Sequence, residues 1–439
     1  MTIQASLCCL ALLTPAAVRA EELTLEQAVA LAVRNNRPVT NARLEVEKFD
    51  HQIEVARTYR LPSSKLDIFE GEFLGPVNFT FPAGAWGVYP ATGPIPATPT
   101  TISSPKHPFS IINLSATQPL LELPRIRLGV RIRETERDEA REKLTATRQA
   151  VVSDVRKLYY GILQTQSAMA SNESSIQTLR ELDRVASESA AHQITLKSEA
   201  LEVKARLAKA EYEGAALQLD LASEKEQLND IMGRDTRTEF TVQALPEPSL
   251  AAADLARTRE HALAERPEIR EARLRVVEAE QDRAMKRAEY IPDVDLKVQY
   301  LSPFGVATLP KNIAAAGVQV TWDVFDWGRR KQELAVKDVV IKQARNALET
   351  TQSQVLIEVE SRYRKLEESR RMLQVVEMAQ TAARERVRIA KDRYDGEATL
   401  LKDLLEAQAA KADTDYQHQQ ALSSYLSAQA DFDRAGANE

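Results

Sequence analysis

The sequence has little of what disulfide-rich, aromatic-rich or helical membrane proteins require. Only two of its 439 residues are cysteine, and both Cys8 and Cys9 lie at the very start. Aromatic residues make up 5% of the chain, glycine occurs 14 times, and 28% of the residues are charged. No stretch beyond the start approaches the ~20 consecutive apolar residues of a membrane helix. The net charge of -6 shows no basic excess, so we expect no nucleic-acid partner. What remains is long tracts of Ala, Glu, Arg and Leu, which predict long helices.

Residues 1–20 are predicted to be a signal peptide. Leu7–Leu13 is an uncharged apolar run, and small residues around Arg19 precede a cleavage site after Ala20. The basic residues usual before such a run are missing from Met1–Ser6. Cleavage leaves a mature chain without cysteine, which suits an oxidising export compartment. An exported chain without a helical anchor is either soluble or a β-barrel.

An internal repeat organises the mature chain. At an offset of 204, Val151 aligns with Val355 and Tyr159 with Tyr363, without a gap over some eighty positions. Upstream the offset is 230, and there Leu61-Pro62 aligns with Ile291-Pro292. We therefore predict repeat 1 at 21–243, a linker at 244–252 and repeat 2 at 253–439.

The change of offset places about 26 additional residues in the first repeat. They coincide with residues 81–108, a tract rich in proline, glycine and threonine. Such composition predicts an irregular loop. Since the longer loops of membrane barrels face outward, we expect this one to be extracellular.

Each repeat is predicted to contain helices, a pair of strands and a long helical hairpin. Asp293–Tyr300 alternates strictly between polar and apolar residues, as does Gly317–Val324, whereas the strand near Lys65–Phe73 alternates poorly. Four strands of about 9–11 residues fit tilted transmembrane strands. The predicted bounds are helices 25–60 and 253–290, strands about 63–79, 109–121, 292–304 and 313–326, and hairpins 125–232 and 329–434.

The helices of the hairpins are too long for a small globular domain. Arg329–Tyr394 contains neither proline nor glycine, and a helix of this length extends for ~100 Å. Narrow Ala/Leu/Val stripes on charged surfaces are typical of a coiled-coil seam. Four strands cannot close a barrel alone, so the chain either shares a barrel with other copies or covers its sheet with its own helices.

These features together resemble the TolC family of outer-membrane efflux and secretion channels. The resemblance rests on Leu23–Ala32, on Asn35–Pro38 with its partner Glu265–Pro267, on the junction Val324–Arg330, and on the turn Arg393–Glu406. It implies an α+β fold in which two long helical hairpins per chain build an all-helical periplasmic coiled-coil tunnel. It also implies that four strands per chain contribute to a trimeric 12-stranded transmembrane β-barrel.

The resemblance further implies a location in the outer membrane, extending into the periplasm. The implied partners are two further copies of the chain, a periplasmic adaptor (membrane fusion protein), an inner-membrane pump and the lipid of the outer membrane. The implied function is a passive exit channel for small-molecule or protein cargo in a tripartite efflux or type I secretion system. Two alternatives are a periplasmic adaptor and a coiled-coil scaffold.

The hairpin tips are the candidate functional residues. We expect the adaptor to contact them at His192, Gln193, Ile194, Thr195 and Leu196, and at Gly396, Glu397, Ala398, Thr399 and Leu400. The first tip departs from the family pattern because His192 stands where the second has Gly396. The second departs because Thr399 occupies a position that is often arginine.

Asp403 and Glu406, together with Tyr394 and Glu199, are the candidate periplasmic gate. Asp403 and Glu406 share one helix face at i,i+3. They are either a solvated surface or, in three copies around an axis, an acidic ring that selects cations.

No enzymatic chemistry is predicted, and neither a metal nor a cofactor is expected. The five histidines are scattered, and none lies four residues from another. No phosphate-binding Gly-rich loop and no serine elbow occurs. Asp293 and Asp295 lie on the polar side of a strand, so a wet lumen explains them better than acid/base catalysis.

Overall fold

The computed structural model describes residues 21–104, 107–192, 197–244, 253–306, 310–396, 398–399 and 401–437. The predicted signal peptide and residues 245–252 of the predicted linker lie outside these residues. The helices are α1 (Leu25–Asn35), α2 (Arg37–Thr58), α3 (Leu123–Ala191), α4 (Lys197–Ile231), α5 (Leu255–Glu265), α6 (Pro267–Ala288), α7 (Arg329–Asp395) and α8 (Leu401–Ala435). The strands are β1 (Glu21–Leu23), β2 (Ser63–Glu72), β3 (Val77–Phe81), β4 (Val88–Tyr89), β5 (Gly93–Pro94), β6 (Thr100–Ser104), β7 (Pro108–Pro119), β8 (Phe240–Val242), β9 (Asp293–Phe304) and β10 (Ile313–Thr321).

The repeat is visible in the lengths of the helices. Helices α1 and α5 each have 11 residues, α2 and α6 each have 22, and α4 and α8 each have 35. Thr24 and Asp254 begin α1 and α5 by accepting a hydrogen bond from a backbone N–H of the first turn. Both helices end just before a helix that has proline in its first turn, Pro38 in α2 and Pro267 in α6. Proline is tolerated in the first turn of a helix but not in its interior, so the chain cannot continue as one helix.

One compact unit consists of the chain up to Leu44 together with Arg141–Arg270 and Glu349 onward. Its helices lie in the order α4, α3, α8, α7. The Asn172 side chain of α3 donates to the Ala210 carbonyl of α4 at 3.0 Å, and Ser171 of α3 donates to the Ala412 carbonyl of α8 at 2.7 Å. Arg362 of α7 pairs with Asp431 of α8 at 2.8 Å. None of the described helices is both long and apolar enough to cross a membrane.

A small parallel sheet in the same unit joins the first strand of the chain to the end of repeat 1. Strand β1 pairs with β8, with Leu23 opposite Val242. Tyr159 of α3 is fully buried. Its hydroxyl oxygen lies 2.9 Å from the Leu23 carbonyl oxygen and 2.8 Å from the Gln243 carbonyl oxygen, so the hydroxyl group can donate to either acceptor. Burial raises the pKa of the Tyr159 hydroxyl, so it remains a donor across the ordinary pH range.

The other compact unit consists of Glu45–Ala140 and Glu271–Leu348. It contains an antiparallel sheet in the order β10-β9-β7-β2, which brings the strand pairs of both repeats side by side. Leu114 lies opposite Leu66 of β2 and opposite Tyr300 of β9. The four strands of this sheet and the two long helical hairpins confirm the predicted fold class.

Three details of the predicted organisation are wrong. The first strand was expected over about 63–79, but β2 ends at Glu72, and Val77–Phe81 forms the separate strand β3, which pairs with β6. The fourth strand was expected to extend to residue 326 but ends at Thr321, because the Asp326 carboxylate binds the N–H groups of Gly328 and Arg330 at the start of α7. Residues 81–108 were expected to be an irregular loop. Instead, β3 pairs with β6 and β4 pairs with β5.

Candidate functional site

The four-stranded sheet has two faces of different chemistry over most of its length. Side chains alternate between the faces of a strand, so residues of even number share one face and residues of odd number the other. The even face is apolar in Leu66, Ile68, Ile112, Leu114, Ala116, Val294, Leu296, Val298, Tyr300, Ala314, Ala316, Val318 and Val320. The odd face is polar in Lys65, Asp67, Asn113, Ser115, Thr117, Asp295, Lys297, Gln299 and Gln319. Such a sheet can face lipid on one side and water on the other.

Polar groups on the odd face bind one another both across neighbouring strands and within one strand. Gln299 of β9 donates to the Asn113 side chain of β7 at 2.9 Å, and Lys65 pairs with Asp67 at 2.9 Å. Asp293, at the beginning of β9, forms an ion pair with Arg125 at 2.9 Å. Asp293 therefore has a structural partner, and lining of a wet lumen by Asp293 and Asp295 remains a prediction.

Both sides of the sheet end in an open edge within the described part of the chain. Strand β2 pairs only with β7, and β10 pairs only with β9. Each edge strand carries a row of backbone N–H and C=O groups that can pair with another strand. In lipid these groups must be satisfied, so an even face directed at lipid requires the edges to meet strands of further copies.

The helical unit also ends in two exposed apolar surfaces. On the outer helix α4, Leu201, Tyr212 and Leu219 are largely exposed, and Leu219 reaches 71%. On the other outer helix, α7, the exposed apolar residues are Ile357, Met372, Val375 and Met378. The inner helices α3 and α8 use comparable stripes to pack against each other, so α4 and α7 are suited to packing against another copy.

The second hairpin tip brings the predicted gate residues to the start of α8. Asp403 lies in the first turn, where its carboxylate accepts a hydrogen bond from Thr399 Oγ1 at 2.5 Å. Glu406 lies 3.8 Å from Lys402, and both side chains are exposed. Tyr394, at the end of α7, is 39% exposed. Asp403 and Glu406 thus share an exposed face, while Leu404 and Leu405 are buried on the other side of the helix.

Only part of the predicted tip surface belongs to the described residues. His192 follows the end of α3, with its N–H bonded to the Glu188 carbonyl. At the second tip, Gly396 and Ala398 donate their N–H groups to the Asp392 and Arg393 carbonyls. Gln193, Ile194, Thr195, Leu196, Glu397 and Leu400 lie outside the described residues, as does the side chain of Glu199. The roles of all these residues remain predictions.

A pair of equivalent arginine clusters, which the sequence analysis missed, lies just before the two tips. Arg184 pairs with Glu181 at 2.6 Å and with Glu188 at 3.0 Å. Arg388, at the offset of 204, pairs with Glu385 at 2.5 Å and Asp392 at 3.0 Å. The signal that could have revealed both is the shared acid–arginine–acid spacing of i-3, i and i+4 in the two repeats.

These exposed clusters alter the acidity of their members. Hydrogen bonds to Glu181 and then Glu188 raise the pKa of the Arg184 guanidinium. The hydrogen bond from Arg184 lowers the pKa of Glu181. In the second repeat, Arg388 lowers the pKa of Glu385 in the same way. Arg184 and Arg388, together with Glu181 and Glu385, therefore remain charged at physiological pH and present mixed charge beside the tips.

Two carboxyl groups meet between α3 and α6 of the sheet-containing unit. The Glu139 and Glu278 carboxyl groups interact with each other. Burial, followed by repulsion from Glu278, raises the pKa of Glu139 to about 7. Burial and repulsion from Glu136 also raise the pKa of Glu278. Arg275 opposes both shifts, with its Nε 3.9 Å from the Glu139 carboxylate. The pair holds a proton at pH values where ordinary glutamates are ionised.

Comparison with known proteins shows that part of the sequence matches one protein family and that the fold resembles several solved channel structures. Residues 258–436 match the family described as outer membrane efflux protein. No curated protein sequence matches the chain. The fold is similar to that of the CmeC outer membrane channel of Campylobacter jejuni, at a TM-score of 0.75 and 15% identity over 94% of this chain and 85% of that one.

Two further solved structures have the same fold. The outer membrane protein VceC of Vibrio cholerae has a TM-score of 0.72 and 17% identity over 94% of this chain and 97% of its own. The open state of the MtrE outer membrane channel of Neisseria gonorrhoeae has a TM-score of 0.69 and 17% identity over 94% and 88% of the two chains.

Proposed function

We propose that this chain is the passive exit channel of a tripartite efflux or type I secretion system, because residues 258–436 match the outer membrane efflux protein family and 94% of the chain shares the fold of an outer membrane channel. It is an outer-membrane protein that extends into the periplasm. The family match also argues against the two alternatives drawn from the sequence, a periplasmic adaptor and a coiled-coil scaffold.

The observation that carries the proposal is the four-stranded sheet, which is open at β2 and β10. Its apolar even face suits lipid, while its polar odd face suits a water-filled lumen. Strands inserted in lipid are stable only when every edge is paired. Three copies, joined β2 to β10, give a closed barrel of twelve strands, and the number three comes from the family.

The exposed outer helices support the same assembly. A trimer that joins α4 of one copy to α7 of the next covers Leu219 and its neighbours with the apolar residues of α7. The twelve long helices then form a tunnel wall. An inner-membrane pump delivers small-molecule or protein cargo to this tunnel, and a periplasmic adaptor joins the two at the hairpin tips.

Detergent-corrected mass measurement of the purified mature protein tests the assembly. We expect three chains per particle, recovered from the outer-membrane fraction. A monomeric particle would contradict the proposal, whereas two chains with eight strands would retain a closed barrel and overturn only the number of copies.

A matched pair of variants tests the helix contact. Leu219→Glu introduces a charge into the surface between α4 and the next copy, so it should lower the temperature at which the trimer dissociates in SDS. Gln218→Glu adds the same charge to the neighbouring exposed position and is the control. Equal dissociation temperatures for both variants would exclude this face of α4 from the interface.

A further inference from the structure

The alternation of β2 reverses within the strand, which explains why it alternates poorly as a sequence. From Lys65 to Ile68 the even residues, Leu66 and Ile68, are apolar, and the odd residues are Lys65 and Asp67. From Phe69 onward the odd residues are Phe69, Gly71 and Phe73, and the even residues are Glu70 and Glu72. Since successive side chains point to opposite faces, the apolar surface changes sides between Ile68 and Phe69.

The neighbouring strand β7 reverses at the same level of the sheet. Ile68 lies opposite Ile112, and Phe69 lies opposite Ile111. Beyond this level β7 has Ile111 and Phe109 on the odd face and Ser110 between them on the even face. In β9, the odd residue Pro303 lies opposite Ile111, whereas Phe304 keeps an apolar side chain on the even face. A reversal shared by two paired strands is a property of the surface rather than of one substitution.

The aromatic residues beyond the reversal form one cluster on the odd face. The ring centroids of Phe73 and Phe109 are 4.5 Å apart in a stacked arrangement, and those of Phe69 and Phe109 are 5.7 Å apart. Gly71 makes room for this contact, since a Cβ at that position would lie 3.2 Å from the Phe109 ring and 3.3 Å from the Phe69 ring. Phe69 nevertheless remains 60% exposed.

We infer that this mouth patch, defined as Phe69, Phe73, Phe109 and Ile111, forms an apolar constriction inside the outer end of the barrel. The inference rests on the proposed function, because it needs three copies to surround one lumen. The odd face of the sheet lines that lumen. The mouth patch lies at the end of β2 and β7 that leads to β3 and β6, beyond the polar residues of the odd face. Uncharged and apolar solutes pass such a constriction more readily than hydrated ions.

The size of the barrel makes the constriction effective. Eight-stranded barrels are filled by their own side chains, whereas barrels of 16–18 strands leave an aqueous channel. A twelve-stranded barrel lies between these cases, so large aromatic side chains at one level narrow it without filling it. An apolar ring of this kind resists wetting, and ions that cross it lose part of their hydration.

Single-channel conductance of the full chain in planar bilayers tests the inference. Replacing two aromatic residues by Phe69→Ser with Phe109→Ser widens and wets the constriction, so conductance should rise by about twofold or more. Phe304→Ser is the matched control, because Phe304 is 55% exposed on the even face of β9, opposite Ser110 of β7. We expect the control to conduct like the unaltered channel.

A chemical variant tests channels that have already assembled. Phe69→Cys provides a single reactive thiol, since Cys8 and Cys9 belong to the predicted signal peptide. A positively charged methanethiosulfonate reagent added on the outer side should change the current through Phe69→Cys channels and leave Phe304→Cys channels unchanged. This measurement remains decisive if the double serine variant fails to assemble.

The outcomes separate the inference from the function on which it rests. If the unaltered protein forms no channels, the proposed function fails. If it forms channels whose conductance changes neither with the serine substitutions nor after modification of Phe69→Cys, the channel stands and the constriction is wrong. An equal response of the Phe69 and Phe304 variants would also overturn it.

Discussion

Asn36 and Arg266 occupy equivalent positions of the two repeats, and each binds the last turn of the helix that closes its own hairpin. Asn36 Nδ2 donates to the Ile231 carbonyl of α4 at 3.0 Å. Arg266 Nη1 donates to the Ala435 carbonyl of α8 at 3.2 Å. The last carbonyls of a helix have no hydrogen-bond donor within the helix. In repeat 1 a neutral amide supplies the donor, and in repeat 2 a charged guanidinium does.

Arg266→Ala should destabilise the protein more than Asn36→Ala. Arg266 also pairs with Glu268 and Glu358, at 2.9 Å and 2.8 Å, and its side chain is 5% exposed. We expect Arg266→Ala to cost about 2–3 kcal/mol, because it leaves carboxylates without their partner in a largely buried setting. Asn36→Ala removes a neutral cap and should cost about 1 kcal/mol. Thermal unfolding followed by circular dichroism measures both.

Arg37→Ala is the control for this comparison. Arg37 adjoins Asn36, but among the described residues its side chain forms only an exposed ion pair with Asp230, at 3.7 Å. Its loss should change the unfolding free energy by less than about 0.5 kcal/mol. If Arg37→Ala destabilised the protein as much as Arg266→Ala, helix capping would not explain the effect.

Glu139→Gln should change the dependence of stability on pH. The pKa of Glu139 is raised to about 7 by burial and by Glu278, above the usual value near 4.5. Between these values the folded state holds a proton that the unfolded state has released, so stability falls as pH rises through this window and is level above it. The charged groups around the pair are Glu136, Glu271, Arg275 and Asp282.

The glutamine variant should therefore be more stable than the unaltered protein at pH 8, by about 1 kcal/mol after allowance for solvent near the pair. At pH 5 the two should unfold at nearly the same temperature. Glu173→Gln, an exposed position on the same helix, is the control and should leave the pH profile unchanged. A constant difference at both pH values would rule out protonation of the pair as the cause.

Asp403→Ala with Glu406→Ala tests the periplasmic gate. If three copies crowd these carboxylates around a narrow axis, the double variant should show weaker block by divalent cations in planar bilayers, on the order of severalfold. Asp403→Ala alone should have the larger share, because Lys402 already offsets the charge of Glu406. The effect should shrink at 1 M salt, where the Debye length is ~3 Å.

Glu368→Ala is the matched control for the gate. It removes an exposed carboxylate from α7, about seven helical turns before the tip. Divalent block that is equal in the unaltered channel and in the double variant would mean that Asp403 and Glu406 are a solvated surface outside the tunnel.

Residues 82–99 should be removable without loss of assembly. Phe81 of β3 pairs with Thr100 of β6, so an Asn-Gly turn can join them directly. The shortened protein should still form trimers. On intact cells, chymotrypsin should cut the unaltered protein near Trp86, whereas trypsin should not cut within 73–105, since this segment has no Lys or Arg. Protection from chymotrypsin would place the segment away from the cell surface, and failure to assemble would make it structural.

The long helices and the order of the elements could be predicted from the sequence, because residue composition and the internal repeat both carry that information. The long helices follow from the absence of proline and glycine between Arg329 and Tyr394, and the order of elements follows from the repeat. The loop prediction failed because proline was counted without regard to position. Pro82 and Pro99 flank the paired residues of β3 and β6 rather than interrupting them, so the ladder remains intact.

Contacts between distant parts of the chain could not be predicted in the same way. In the sequence, the reversal of β2 between Ile68 and Phe69 looks like poor alternation in a single strand. The register with β7 is needed to show that the apolar surface changes face. The role of Tyr159 depends on the pairing of β1 with β8, which local periodicity does not encode. At the tips, Asp403 and Glu406 remain predicted gate residues, and the ion pair of Glu406 with Lys402 is a local i,i+4 contact that the spacing could have revealed.

The register of the strands also imposes an order on folding. Glu21 of β1 pairs with Phe240 of β8, so β1 has its partner only after nearly all of the first repeat has been exported. Similarly, the β2–β7 pair has no strand beside β7 until β9, which starts at Asp293, has been exported. An isolated pair of strands is marginally stable in water, and its apolar face invites aggregation. The interval between export of β7 and export of β9 is therefore when the nascent chain is most vulnerable to misassembly.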